Sequence, residues 1–132
     1  MAARFFVDEN DLALGKALAA THPGVVFPGH PGLPEIPRRT QDDVWLPVIG
    51  RQRLVVITRD QRIRYRPVEK QAWVDHRVRG FVLTGSGSQS TADSLAVLER
   101  HWTHMVDLVD AGPLGPWMHA ITAGGVREID LS

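Results

Sequence analysis

The acidic residues of this chain stand where short apolar runs end. Asp8 and Glu9 follow Phe5-Phe6-Val7, Asp60 follows Leu54-Val55-Val56-Ile57-Thr58-Arg59, and Asp42 and Asp43 lie side by side just before an apolar stretch that includes Trp45 and Ile49. Carboxylates brought together repel and raise one another's pKa unless a cation sits among them, and a hard, oxygen-only donor set is what Mg²⁺ or Mn²⁺ takes. Such an ion can activate a water, orient a phosphodiester and neutralise charge that grows on phosphorus oxygens during in-line attack. This chemistry needs no histidine, cysteine or serine nucleophile, and none of those types is convincingly arranged here. Each acid also has a plainer reading, since Asp and Asn are common turn residues after strands and acids in a first helical turn complement the macrodipole. Their shared placement favours the metal reading.

Formal net charge is zero, so attraction for a polyanion must come from charge distribution. Arg51, Arg53, Arg59, Arg62, Arg64 and Arg66 crowd one segment in which only Asp60 opposes them, and Arg77 and Arg79 follow. Arg59, Arg62 and Arg64 flank Asp60 and could hold nucleic-acid phosphates, a single-stranded or looped backbone being the one that bends into a cleft. The Gly85-Ser86-Gly87-Ser88 loop could offer backbone N–H groups to a phosphate, although a flexible connection is the simpler account. His101 and His104 are spaced i, i+3 on a helix, yet no third ligand accompanies them, so a surface or half-buried helix face is expected. The tryptophans at 45, 73, 102 and 117 fall mostly at core positions.

The elements that must position these residues can be read in turn. Phe5-Phe6-Val7 reads as a buried strand running into a loop. A helix follows, capped by Asn10 or Asp11, striped by Leu14, Ala17 and Leu18, and stopped at Thr21-His22-Pro23-Gly24. Val25-Val26-Phe27 is a brief second strand, and the prolines and glycines from 28 to 37 make a long semi-rigid loop. Thr40 can cap a second helix with Asp42 and Asp43 in its first turn, Trp45, Leu46, Val48 and Ile49 on its apolar face, Pro47 restricting its start and Gly50 ending it. Leu54 to Thr58 has the β-branched character of a strand buried on both faces of a parallel sheet. A helix over 67–78, a buried strand over 80–84, a long helix opened by the capping box Ser90-Thr91-Ala92-Asp93 and ending near Ala111, and an edge strand over 126–131 complete the chain.

This alternation predicts one α/β domain over 1–132, a three-layer α/β/α sandwich with a mainly parallel sheet of about five strands. In such sheets ligands bind beyond the carboxyl ends of the strands, where Asp8 and Asp60 fall. Cysteine is absent, so neither disulfides nor thiolate zinc sites can form, and no uncharged stretch approaches the length of a membrane span. We expect a soluble, unexported, cytoplasmic protein that is not held at a membrane.

Phe5-Phe6-Val7-Asp8-Glu9-Asn10, Asp42-Asp43-Val44-Trp45 and Val55-Val56-Ile57-Thr58-Arg59-Asp60 together resemble the PIN-like domain, in particular the compact versions related to VapC-type toxin ribonucleases. The resemblance implies a metal-dependent endoribonuclease in which Asp8 and Asp60 are ligands of Mg²⁺ or Mn²⁺ and Asp42 is the helix-borne acid, with Asp43 its close rival. Glu9 is the candidate for a fourth acid, since the strand ending at Thr84 leads into glycines and serines. It also implies a toxin–antitoxin role, with a small antitoxin protein as partner beside RNA and with homodimer formation open. Two alternatives compete with this reading. A receiver-like phosphoacceptor module also gathers acids after its first strand, but such modules carry a lysine after the fifth strand, and the only lysines here are Lys16 and Lys70. The other alternative is a catalytically inactive PIN-like binding module.

Overall fold

The computed structural model describes residues 3–85, 90–112 and 114–131. Its centre is a sheet of six strands in the order β2-β1-β3-β4-β5-β6. These are β1 (Phe5–Val7), β2 (Val25–Val26), β3 (Val55–Thr58), β4 (Arg79–Leu83), β5 (Trp117–Thr122) and β6 (Gly125–Ile129). The first five pair in parallel and β6 closes the edge antiparallel to β5, with Ile121 opposite Val126.

Period-two alternation sends neighbouring side chains to opposite layers. Phe5, Val7, Val55 and Ile57 face one core, whereas Phe6 and Val56 face the other. The first core is covered by α1 (Leu12–Thr21) through Leu14 and Leu18, and by α4 (Thr91–Ala111) through Leu98 and Met105. The second is covered by α2 (Asp42–Gln52) through Trp45, Leu46 and Ile49, and by α3 (Pro67–Asp75) through Trp73. The predicted α/β/α layering is therefore present, with every residue of β1 and β3 buried.

Several local expectations are corrected. The strand β5 is an addition, which raises the expected strand number to six. The residue preceding α2 is Gln41 and not Thr40, whose hydroxyl instead donates to the Pro37 carbonyl at 2.6 Å. Pro47 lies inside α2, and Gly50 does not end that helix, which runs to Gln52. Gly50 is needed for close packing: a Cβ there would run into the His76 carbonyl oxygen beyond α3. The capping box at Ser90 is formed, with Ser90 Oγ accepting from the Asp93 N–H at 3.1 Å. Ser86, Gly87 and Ser88, the centre of the candidate phosphate loop, lie outside the described residues.

Candidate active site

Because β1 and β3 pair in parallel with Val7 opposite Ile57, the residues leaving these strands emerge side by side. The chain after β1 turns to α1 on one face of the sheet, and the chain after β3 leads to α3 on the other. A crevice opens where such connections diverge.

Asp8 stands at this point and is only 5% exposed. Thr58 Oγ1 donates to Asp8 Oδ2 at 2.6 Å, and the same hydroxyl oxygen accepts the Asp60 N–H at 3.0 Å. One side chain at the end of β3 thus fixes both the acid of the neighbouring strand and the backbone that carries the next acid. Asp8 Oδ1 is buried and has no hydrogen-bond partner among the described residues. Burial pushes the Asp8 carboxyl up to about 7; the Thr58 hydrogen bond opposes this, while Asp11 and Asp42 add to it.

Asp42 opens α2, half-buried, and its Oδ1 accepts from Trp45 Nε1 at 3.0 Å. The buried indole that anchors α2 to the core therefore also aims the acid, one turn from it. Burial raises the Asp42 carboxyl above its ordinary range, Asp60 and Glu69 raise it further, and Trp45 and Arg66 oppose the shift. Asp43 is exposed. Asp8, Glu9, Asp42, Asp43 and Glu69 line a common cleft of about 460 Å³ with Trp45.

The remaining predicted acids are partly engaged elsewhere. Asp60 Oδ2 accepts from Arg66 Nη1 at 2.7 Å, and its Oδ1 accepts the Arg62 N–H at 3.1 Å. Glu9 Oε1 accepts the Arg39 N–H, with Arg38 Nη2 at 3.8 Å from Oε2. Among the described residues, no group of three or more histidine or acidic side chains forms a ready-made metal cluster. The structure brings Asp8 and Asp42 to one cleft and leaves Asp60 facing an adjoining one of about 360 Å³ that it lines with Arg59, Arg62 and Arg66. The donor set suits a hard cation at Asp8 above all, since a buried carboxylate oxygen with no donor is left in want of positive charge.

The arginines divide. Arg59 is pinned: its Nε lies 2.9 Å from the buried Asp11 Oδ1, its backbone N–H donates to Asp11 Oδ2, and its Nη1 donates to Ser94 Oγ at 3.2 Å. Arg64 stacks on the exposed ring of Tyr65 at 4.6 Å, and Arg62 is exposed at the second cleft. Sequence reasoning missed Glu69 as an acid of the cleft and took Asp11 only as a helix cap. Glu69 had a signal: it lies in the first turn of α3 after Pro67, and α3 is the next α-helix after β3, so its start falls near the sheet edge that carries Asp60. Asp11 had none, because its burial depends on a long-range partner.

A parallel sheet with carboxylates at the β1/β3 edge defines the class of α/β proteins whose chemistry sits at the carboxyl ends of the strands. The PIN-like domain family matches residues 3–85, a span that holds Asp8, Asp42, Asp60 and Glu69, and the chain belongs to that family. No curated protein and no solved structure matches the chain. Family membership displaces the receiver-like alternative. No helix among the described residues is long and apolar enough to cross a membrane.

Proposed function

We propose that the chain is a metal-dependent endoribonuclease, in which Asp8 and Asp42 form the core of a Mg²⁺ or Mn²⁺ site and Asp60 or Glu69 completes it. The observation that carries this reading is the buried Oδ1 of Asp8, without a partner among the described residues, on the same cleft as the Asp42 carboxyl, itself raised by burial. A divalent ion, when bound, would supply an activated water and neutralise the phosphodiester's charge. The protein's own part is positioning. Thr58 holds Asp8 by one oxygen and leaves the other free, Trp45 Nε1 orients Asp42, and Asp60 can join the cleft by exchanging its Arg66 partner. Arg62 and Arg66, beside the cleft, suit the flanking RNA phosphates.

In keeping with the toxin-like resemblance, we assign the chain to a toxin–antitoxin pair in the cytoplasm, with a small antitoxin protein as its partner. A second reading, a PIN-like module that binds without cleaving, is favoured by one feature, the Arg66–Asp60 ion pair that occupies an expected ligand. Incubating single-stranded RNA with the wild-type chain in Mn²⁺, in EDTA, and with Asp8→Asn separates the two. Cleavage that needs both Mn²⁺ and Asp8 supports the enzyme, and RNA binding without cleavage in Mn²⁺ supports the module.

A further inference from the structure

At the end of the sheet opposite the carboxylates, a cleft of about 220 Å³ is lined by Arg53, Arg77 and Arg79 over the apolar residues Ile49 and Leu54. Arg79 opens β4, is half-buried, and donates from Nη2 to the Arg53 carbonyl at 2.8 Å. Burial pushes its guanidinium below the ordinary range, and the charges of Arg53 and Arg4 push the same way. Among the described residues no carboxylate forms an ion pair with Arg53, Arg77 or Arg79, while Arg4 is paired with Asp110. Arg53 and Arg77 follow α2 and α3 in left-handed conformations, with φ of 55° and 54°, where glycine or asparagine would sit with less strain. The helix dipoles favour a cation at each of these ends. Arg79, half-buried beside Arg53, brings a third guanidinium to the same cleft.

We propose that the Arg53–Arg77–Arg79 cleft is a phosphate-binding site separate from the carboxylate cleft. A phosphate group carries more than one negative charge and enough oxygens to meet several guanidinium forks, whereas a single carboxylate would leave the cluster undercompensated. No aromatic side chain among the described residues lines the cleft, so recognition is of the phosphate and not of a stacked base. The terminal phosphate of an RNA strand and free phosphate share this chemistry.

The test uses the metal-free full chain, titrated calorimetrically with inorganic phosphate and with pyrophosphate against chloride of equal ionic strength. Saturable binding is expected, tighter for pyrophosphate, together with a rise in Tm. The double variant Arg53→Asn/Arg77→Asn suits the left-handed backbone and should fold with an unliganded Tm no lower than wild type. It should lose affinity by about tenfold for each arginine removed. Asp8→Asn should bind pyrophosphate as wild type does, so the site stands or falls independently of the ribonuclease reading. A short RNA bound more tightly with a 5′-phosphate than with a 5′-hydroxyl, through these arginines, identifies the strand end as the source; equal affinity identifies free phosphate. Absence of saturable binding, binding undiminished in the double variant, or tighter binding of a glutamate-rich peptide than of pyrophosphate would overturn the proposal.

Discussion

Asp8 joins stability to function, because the burial that leaves its Oδ1 unpartnered also disfavours its charge. Its folded pKa of about 7 lies above the ordinary value of 3.8, so between these pH values the folded chain holds a proton that the unfolded chain has released. The metal-free protein should therefore lose stability as pH rises from about 4 to 7, by about 2 to 4 kcal/mol from this group. Urea unfolding of wild type and Asp8→Asn at pH 5 and pH 8 reads the effect. Asn can still accept from Thr58, so the variant should lack this part of the slope and be the more stable of the two at pH 8. Arg59 shows the opposite case, a charge whose place is structural. Arg59→Gln leaves the buried Asp11 without its ion pair and should cost about 1 to 3 kcal/mol by the same measurement. Arg62→Gln, at an exposed position, should leave stability within about 0.5 kcal/mol of wild type. It should instead lower the logarithmic salt slope of single-stranded RNA binding by about 0.7.

The first turn of α2 sorts two adjacent acids by the direction each faces. Consecutive helical residues point about 100° apart, and here Asp42 turns toward Trp45 while Asp43 is exposed. Asp42→Asn should weaken Mn²⁺ binding and RNA cleavage sharply, whereas Asp43→Asn should cost a few tenths to about 1 kcal/mol through the helix dipole and leave metal affinity unchanged. Calorimetry and thermal melts of both variants check this. Much of the framework was legible because local pattern and tertiary environment agree: the apolar runs of β1, β3 and β4, and the capping box and spacing of α4. β5 was not legible. Trp117-Met118-His119-Ala120-Ile121-Thr122 has a single β-branched aliphatic residue, and its strand state is imposed by pairing with β4 and β6. Gly50 was misread as a stop because a helix-ending glycine and one that admits a neighbouring backbone look alike in sequence. The pairing of Asp60 with Arg66 was equally hidden among many nearby arginines.

Across the molecule, zero net charge conceals unlike poles along the strand direction, acids and arginines together at one end and an arginine cluster at the other. The buried and half-buried carboxylates Asp8 and Asp42 lie at the carboxyl end of the sheet, and the Arg53–Arg77–Arg79 cleft lies at its amino end. The order β2-β1-β3 produces the first of these poles, since it sets Asp8 beside Thr58 and Asp60 and diverts the following chains to opposite faces. That geometry calls for a cation at Asp8, and Mn²⁺ titration calorimetry on wild type and Asp8→Asn at pH 7 is the decisive measurement. Wild type should bind Mn²⁺ saturably, with proton release as the raised Asp8 carboxyl ionises, and the folded Asp8→Asn protein should lose both. Mn²⁺ bound equally by the two proteins, or by neither, would contradict a cation at Asp8.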